Sequence, residues 1–90
     1  MTSRPWEADP AATMKRRLGR SPAELGTTNN IDKCPDIWEL DNGDIAIIGR
    51  DLTDSYAPRL PEGVAIAEDE RLVIIPRSTL ISAKPDIDDA

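Results

Sequence analysis

The chain has 90 residues, a formal net charge of −6, one cysteine, no histidine and no phenylalanine. That length holds one small domain; the missing histidine removes the commonest general base and zinc ligand, and a lone thiol permits neither an intrachain disulfide nor a cysteine-rich metal site. No uninterrupted apolar run, 72–75 included, exceeds four residues, far below the roughly 20 residues of a membrane helix, and the N-terminus lacks the apolar stretch of a secretory signal, so a soluble, cytoplasmic protein without cofactor or metal is expected.

Residues 1–30 read as a flexible arm. They hold three prolines, few large apolar side chains and five basic side chains against three acidic ones. Residues 11–18 have Met14 and Leu18 four apart, which predicts two turns of helix stopped at Gly19. Ser21-Pro22-Ala23-Glu24 matches a capping box, with Ser21 as N-cap and Pro22 opening the turn. Isolated helices this short are marginal in water, so the arm is either loosely docked or folds on contact with a partner.

The body, 31–90, carries six basic and fourteen acidic residues. Its clearest signal is Trp38-Glu-Leu-Asp-Asn-Gly-Asp-Ile-Ala-Ile-Ile48, a hairpin with strands at 37–40 and 44–48. Asn42-Gly43 predicts a two-residue type I′ loop, because that turn needs positive φ at both central positions. The resulting register sets Trp38 opposite Ile47 and Leu40 opposite Ile45. It leaves one apolar face and one acidic face of Glu39, Asp41 and Asp44.

Gly49 marks a bend. Leu52, Tyr56 and Leu60 predict a short helical turn in a polar connection over 50–63. Residues 64–66 read as a short strand. Residues 71–75 are apolar on both faces and read as a central strand. A helix over 79–84 is expected to cover it with Leu80, Ile81 and Ala83, and Pro85 is expected to end that helix. The sum is an α+β domain: a small, mostly antiparallel sheet of three or four strands with a short C-terminal helix, behind the arm.

Little here carries chemistry. The acidic hairpin turn has the wrong spacing for a calcium loop, and turn formation explains its Asp, Asn and Gly. Arg50-Asp-Leu-Thr-Asp-Ser-Tyr56 could hold a nucleophile at Thr53 or Ser55, but no base stands near it in sequence to activate one. A loop organised by an Arg50–Asp51 or Arg50–Asp54 pair, with Asp51 or Thr53 capping a turn, fits better. Cys34 beside Lys33 reads as a packing residue in the absence of histidine. Lys15-Arg16-Arg17 is too short for a nucleic-acid patch, and the acidic body repels a phosphate backbone.

Cys34-Pro-Asp-Ile-Trp-Glu-Leu40, Gly43-Asp-Ile-Ala-Ile-Ile-Gly-Arg-Asp-Leu-Thr53 and Glu70-Arg-Leu-Val-Ile-Ile-Pro-Arg77 with Leu80 resemble a family of small actinobacterial proteins of the streptomycete type. That resemblance spans 34–85 and brings no activity with it. The cysteine ahead of a first strand, Arg50-Asp51 closing a strand and a later strand leading into a helix also resemble the BldB-like proteins. This second resemblance implies an accessory role beside a transcription regulator.

These readings converge on a non-catalytic protein-interaction module with a protein partner. The expected contacts are Trp6, Met14, Leu18 and Leu25 in the arm, and Glu39, Asp41 and Asp44 on the hairpin. Self-association through an open sheet edge is expected to support a thin core. The alternative is an antitoxin or immunity-type protein masking a basic partner, and the third is an enzyme or ligand site in the 50–56 loop.

Overall fold

The computed structural model describes residues 5–26 and 35–87. Cys34, on which a packing role was expected, lies outside them. The chain builds a three-stranded antiparallel sheet in the order β1-β2-β3, from β1 (Met14–Arg17), β2 (Asp36–Leu40) and β3 (Ile45–Ile48). A two-stranded antiparallel ladder follows, from β4 (Arg50–Asp51) and β5 (Val73–Ile74). The helices are α1 (Pro22–Leu25), α2 (Thr53–Tyr56), which runs into a 3₁₀ turn over Ala57–Arg59, and α3 (Arg77–Ile87). The architecture is thus a small α+β fold with a C-terminal helix.

Residues 14–17 form a strand where a helix was expected, and they pair with β2. The cause is non-local. Arg16 Nε donates to Glu39 Oε1 at 2.9 Å, and Arg17 Nε and Nη2 hold the Asp36 carboxylate at 2.9–3.1 Å. Arg17 also lies over the Trp38 ring, 4.9 Å from its centroid. Successive strand residues point to opposite faces, so the two arginines neutralise one carboxylate on each side of the sheet. Leu18 continues the pairing through its N–H to the Ile37 carbonyl at 2.8 Å. The boundary expected at residue 31 therefore does not separate arm from body: β1 is part of the sheet. The capping box at α1 forms as expected, with Ser21 and Glu24 each accepting from the other's backbone N–H.

The hairpin register is shifted by one residue. Glu39 lies opposite Ile45, Trp38 opposite Ala46 and Ile37 opposite Ile47. Leu40 N–H donates to the Asp44 carbonyl and Gly43 N–H to the Leu40 carbonyl, so the loop has three residues with Gly43 at φ +90°. Asn42 does not adopt positive φ. Its side-chain oxygen accepts from Asp44 N–H at 2.9 Å, which closes the turn without the left-handed conformation a type I′ loop needs. One slipped residue redistributes every side chain. Ile37, Glu39, Ile45 and Ile47 share the face under α3; Trp38 and Leu40 share the other with Ala46 and Ile48.

The core is small: Leu18, Ile37 and Ala83 are fully buried, with Ile75 packed beside them. Helix α3 sits on β2 rather than on β5, and it buries Thr79 and Ala83 while Leu80 and Ile81 are exposed. Of the expected apolar side only Ala83 is buried, joined by Thr79 in place of Leu80 and Ile81, because the space over Ile37 admits only small side chains. Gly19 explains that closeness: a Cβ there would lie 2.7 Å from the Ala83 nitrogen. Pro85 does not end the helix, which runs to Ile87. Asp86 is held from outside, its side chain by Gly19 N–H at 2.6 Å and its carbonyl by Arg16 Nη2 at 3.1 Å, and these bonds keep the last turn wound past the proline.

Two further strand expectations fail. Residues 64–66 form no strand. The expected central strand shrinks to β5, whose Val73 and Ile74 remain exposed, since its described partner is the two-residue β4. Gly49 interrupts the strand between β3 and β4, and there the backbone passes so near β5 that a Cβ would lie 2.6 Å from the Ile74 carbonyl oxygen.

Candidate protein-interaction surface

The expected contact residues separate into two groups. Leu18 is 1% exposed and is a core residue, not an arm contact. Glu39 is buried and bound to Arg16, so it does not join an acidic face with Asp41 and Asp44; the register shift puts it under α3. Trp6 and Met14 are exposed, and Leu25 is half-buried.

Asp41 and Asp44 hold the chain's own N-terminal segment. Asp41 accepts from Thr13 N–H at 3.1 Å and from the Thr13 hydroxyl at 2.9 Å, while Asp41 N–H donates back to the Thr13 carbonyl at 2.9 Å. These bonds favour the ionised form and hold the Asp41 carboxyl below the usual carboxylate range. The Trp6 indole N–H donates to both Asp44 oxygens at 3.3–3.4 Å. The hairpin turn is therefore a fastening point for the segment that leads into β1.

Beside Trp6 the segment borders a cleft of about 580 Å³, lined also by Glu7, Ile66, Asp69, Arg71 and Leu72. A second, more apolar groove of about 460 Å³ lies between α1 and α3, where Leu25, Ile81 and Pro85 meet Arg20, Ser78 and Ser82. This second groove exists because α1 is anchored at its N-terminal end. Its N-terminus is capped by Ser21, and the preceding residues are tied to α3 through Gly19–Asp86 and through Arg20 N–H to the Ser82 hydroxyl at 3.3 Å.

The 50–56 loop is organised by Asp51, as expected, but its cation is Arg71 rather than Arg50. Asp51 Oδ1 accepts from the Thr53 hydroxyl at 2.7 Å and from Thr53 N–H at 3.1 Å, and Oδ2 accepts from Arg71 Nε at 2.9 Å. Those bonds, the hydroxyl first, lower the Asp51 pKa to about 2. The same hydroxyl accepts from Leu72 N–H at 2.7 Å. The arrangement staples the loop to the strand that follows it. Among the described residues no group of three or more His, Cys, Asp or Glu side chains is placed to hold a metal ion, and no helix is long and apolar enough to cross a membrane.

Sequence reasoning missed Arg16, Arg17 and Asp36, which read as a stray basic run and a strand-end acid. The available signal was that Asp36 and Glu39 lie three apart on a strand, and so on opposite faces, as do Arg16 and Arg17. No family model, curated protein or solved structure matches the chain.

Proposed function

We propose that the chain is a non-catalytic protein-interaction module whose partner is a protein with a basic surface, in the manner of an accessory to a regulator. One observation carries the reading: among the described residues three hydrophobic side chains are buried, while eleven large ones are exposed. Scattered exposed leucines are ordinary on a folded surface, but an apolar inventory left mostly outside its own core marks a surface that another molecule covers. The groove of Leu25, Ile81 and Pro85 and the Trp6 cleft are the concave parts of that surface, and an aromatic anchor beside a pocket is what binding hot spots use. The excess of acidic residues in 31–90 favours a basic partner over nucleic acid.

The 50–56 loop supports the non-catalytic side of the reading. Its Asp51 and Thr53 are engaged in holding Arg71 and Leu72, and the sequence offers no histidine to activate Ser55. The test is photo-crosslinking in native lysate, with the photoreactive residue at Ile81 or at exposed Glu62. One discrete adduct from position 81 and none from position 62 supports the proposal. Identical labelling from both positions overturns it.

A further inference from the structure

We infer that the open edge of β3 is the seat of a second copy of this chain, paired antiparallel to itself about a two-fold axis at Ile47. The inference does not depend on the heterologous partner proposed above. β3 is terminal in the sheet, so one edge is bonded to β2 and no described strand bonds the other. Leu40 N–H donates to the Asp44 carbonyl, which makes 40 and 44 a hydrogen-bonded pair. Antiparallel alternation then turns Ala46 and Ile48 toward β2, and turns the N–H and C=O of Ile45 and Ile47 toward the open edge. An edge of this kind is normally blunted by a lysine, a proline or a bulge; Ile45-Ala-Ile-Ile48 has none, and all three isoleucines are about half exposed.

What selects a second copy is charge. With Ile47 on the axis, Ile47 faces Ile47 of the other copy, Ala46 faces Ile48, Ile45 faces Gly49 and Asp44 faces Arg50. The uncharged stretch is bounded by an acid at one end and a base at the other, so antiparallel self-pairing forms two Asp44–Arg50 contacts. Directly opposed charges of opposite sign stabilise a strand pair, and like charges oppose it. Arg50 is exposed and makes no ion pair among the described residues. Shifting the axis to Ala46 sets Asp44 against Ile48 instead, which removes both Asp44–Arg50 contacts. Helix α3 adds to the same side. Its Ser82 and Asp86 flank faces the Gly19 segment beyond β1, so exposed Leu80 and Ile87, on the opposite flank, stand on the β3 side.

The test is the sedimentation mass of the full chain across a dilution series up to about 100 μM, a range that detects micromolar dimers. The wild-type chain sediments as a dimer, and Ile47→Lys, at an exposed position, sediments as a monomer with an unchanged circular dichroism spectrum. Asp44→Arg alone and Arg50→Asp alone each dimerise at least about tenfold more weakly, and an equimolar mixture of the two recovers a heterodimer, because mixing restores both opposite-charge contacts. A monomeric wild type at every concentration overturns the inference. So does a dimer indifferent to Ile47→Lys, or a mixture no more associated than its components.

Discussion

Gly19 is where the arm meets the helix, and replacing it separates two energies that usually travel together. Its φ of +83° lies in the left-handed region, which costs an L-residue about 1–2 kcal/mol. An added Cβ also meets the Ser82 Oγ at 2.5 Å and, more seriously, the Ala83 nitrogen and Ser82 carbonyl carbon at 2.7 Å. The hydroxyl can rotate away; the helix backbone cannot, and forced overpacking costs about 1–3 kcal/mol. Gly19→Ala is therefore expected to cost about 2–5 kcal/mol, a large share of what so small a core supplies. Two controls divide the sum. Gly43 has φ +90° with nothing within 4 Å, and Gly49 has a Cβ clash with the Ile74 carbonyl without positive φ. The assay is urea and thermal unfolding of the three alanine variants, with each kcal/mol moving the midpoint by about 4–8 °C. Gly19→Ala should fall below the wild type by roughly the two controls' combined losses, because it carries both costs at one site. A Gly19→Ala midpoint no lower than that of Gly43→Ala would refute the close packing of the Gly19 segment on α3.

Arg17→Ala leaves the buried Asp36 carboxylate without its guanidinium and should cost about 2–3 kcal/mol by urea unfolding; a loss under about 0.5 kcal/mol, the size of a neutral surface change, contradicts the role given to the pair. Residues 31–90 alone lack β1 and Leu18 and should show no cooperative melting transition by circular dichroism, whereas a sharp one restores the division into arm and body. Acid should weaken the fold in a defined window. The Asp51 carboxyl titrates at about 2 in the folded chain, against an ordinary 3.8, and Asp41 and Glu24 are lowered as well. Each is a depressed carboxylate, so its contribution is complete above the ordinary value and is lost as pH falls through the folded one. The urea midpoint should drop between about pH 4 and pH 2, and Thr53→Val, which removes the hydroxyl donated to Asp51, should flatten that drop; an unchanged slope counts against it.

How much of this was legible depended on how local its cause was. The hairpin, the Ser21–Glu24 cap, the helical turn after Leu52 and the C-terminal helix all follow from neighbours in sequence, and all are present. The register was not legible, because Asn42 could close the turn with either its backbone or its side chain. Nor was β1, since Met14-Lys-Arg-Arg17 pairs with carboxylates about twenty residues away. The buried face of α3 escaped for the same reason. The pattern of Leu80 and Ile81 announces an apolar face, but the clearance set by Gly19 and Ile37 admits only Thr79 and Ala83. Of the seven expected contacts, Leu18 and Glu39 went to the interior, Asp41 and Asp44 to the chain's own fastening, and Trp6, Met14 and Leu25 stayed accessible.

The central claim is that the apolar surface left outside the core is an interface, and the most direct measurement is quantitative capture from native lysate on the immobilised full chain. The comparison is with a Trp6→Ala, Ile81→Asp double variant, altered only at exposed side chains and first shown to melt at the wild-type temperature. The account predicts one protein retained by the wild-type chain in near-stoichiometric amount and lost from the variant. An identical set of retained proteins on both would contradict it.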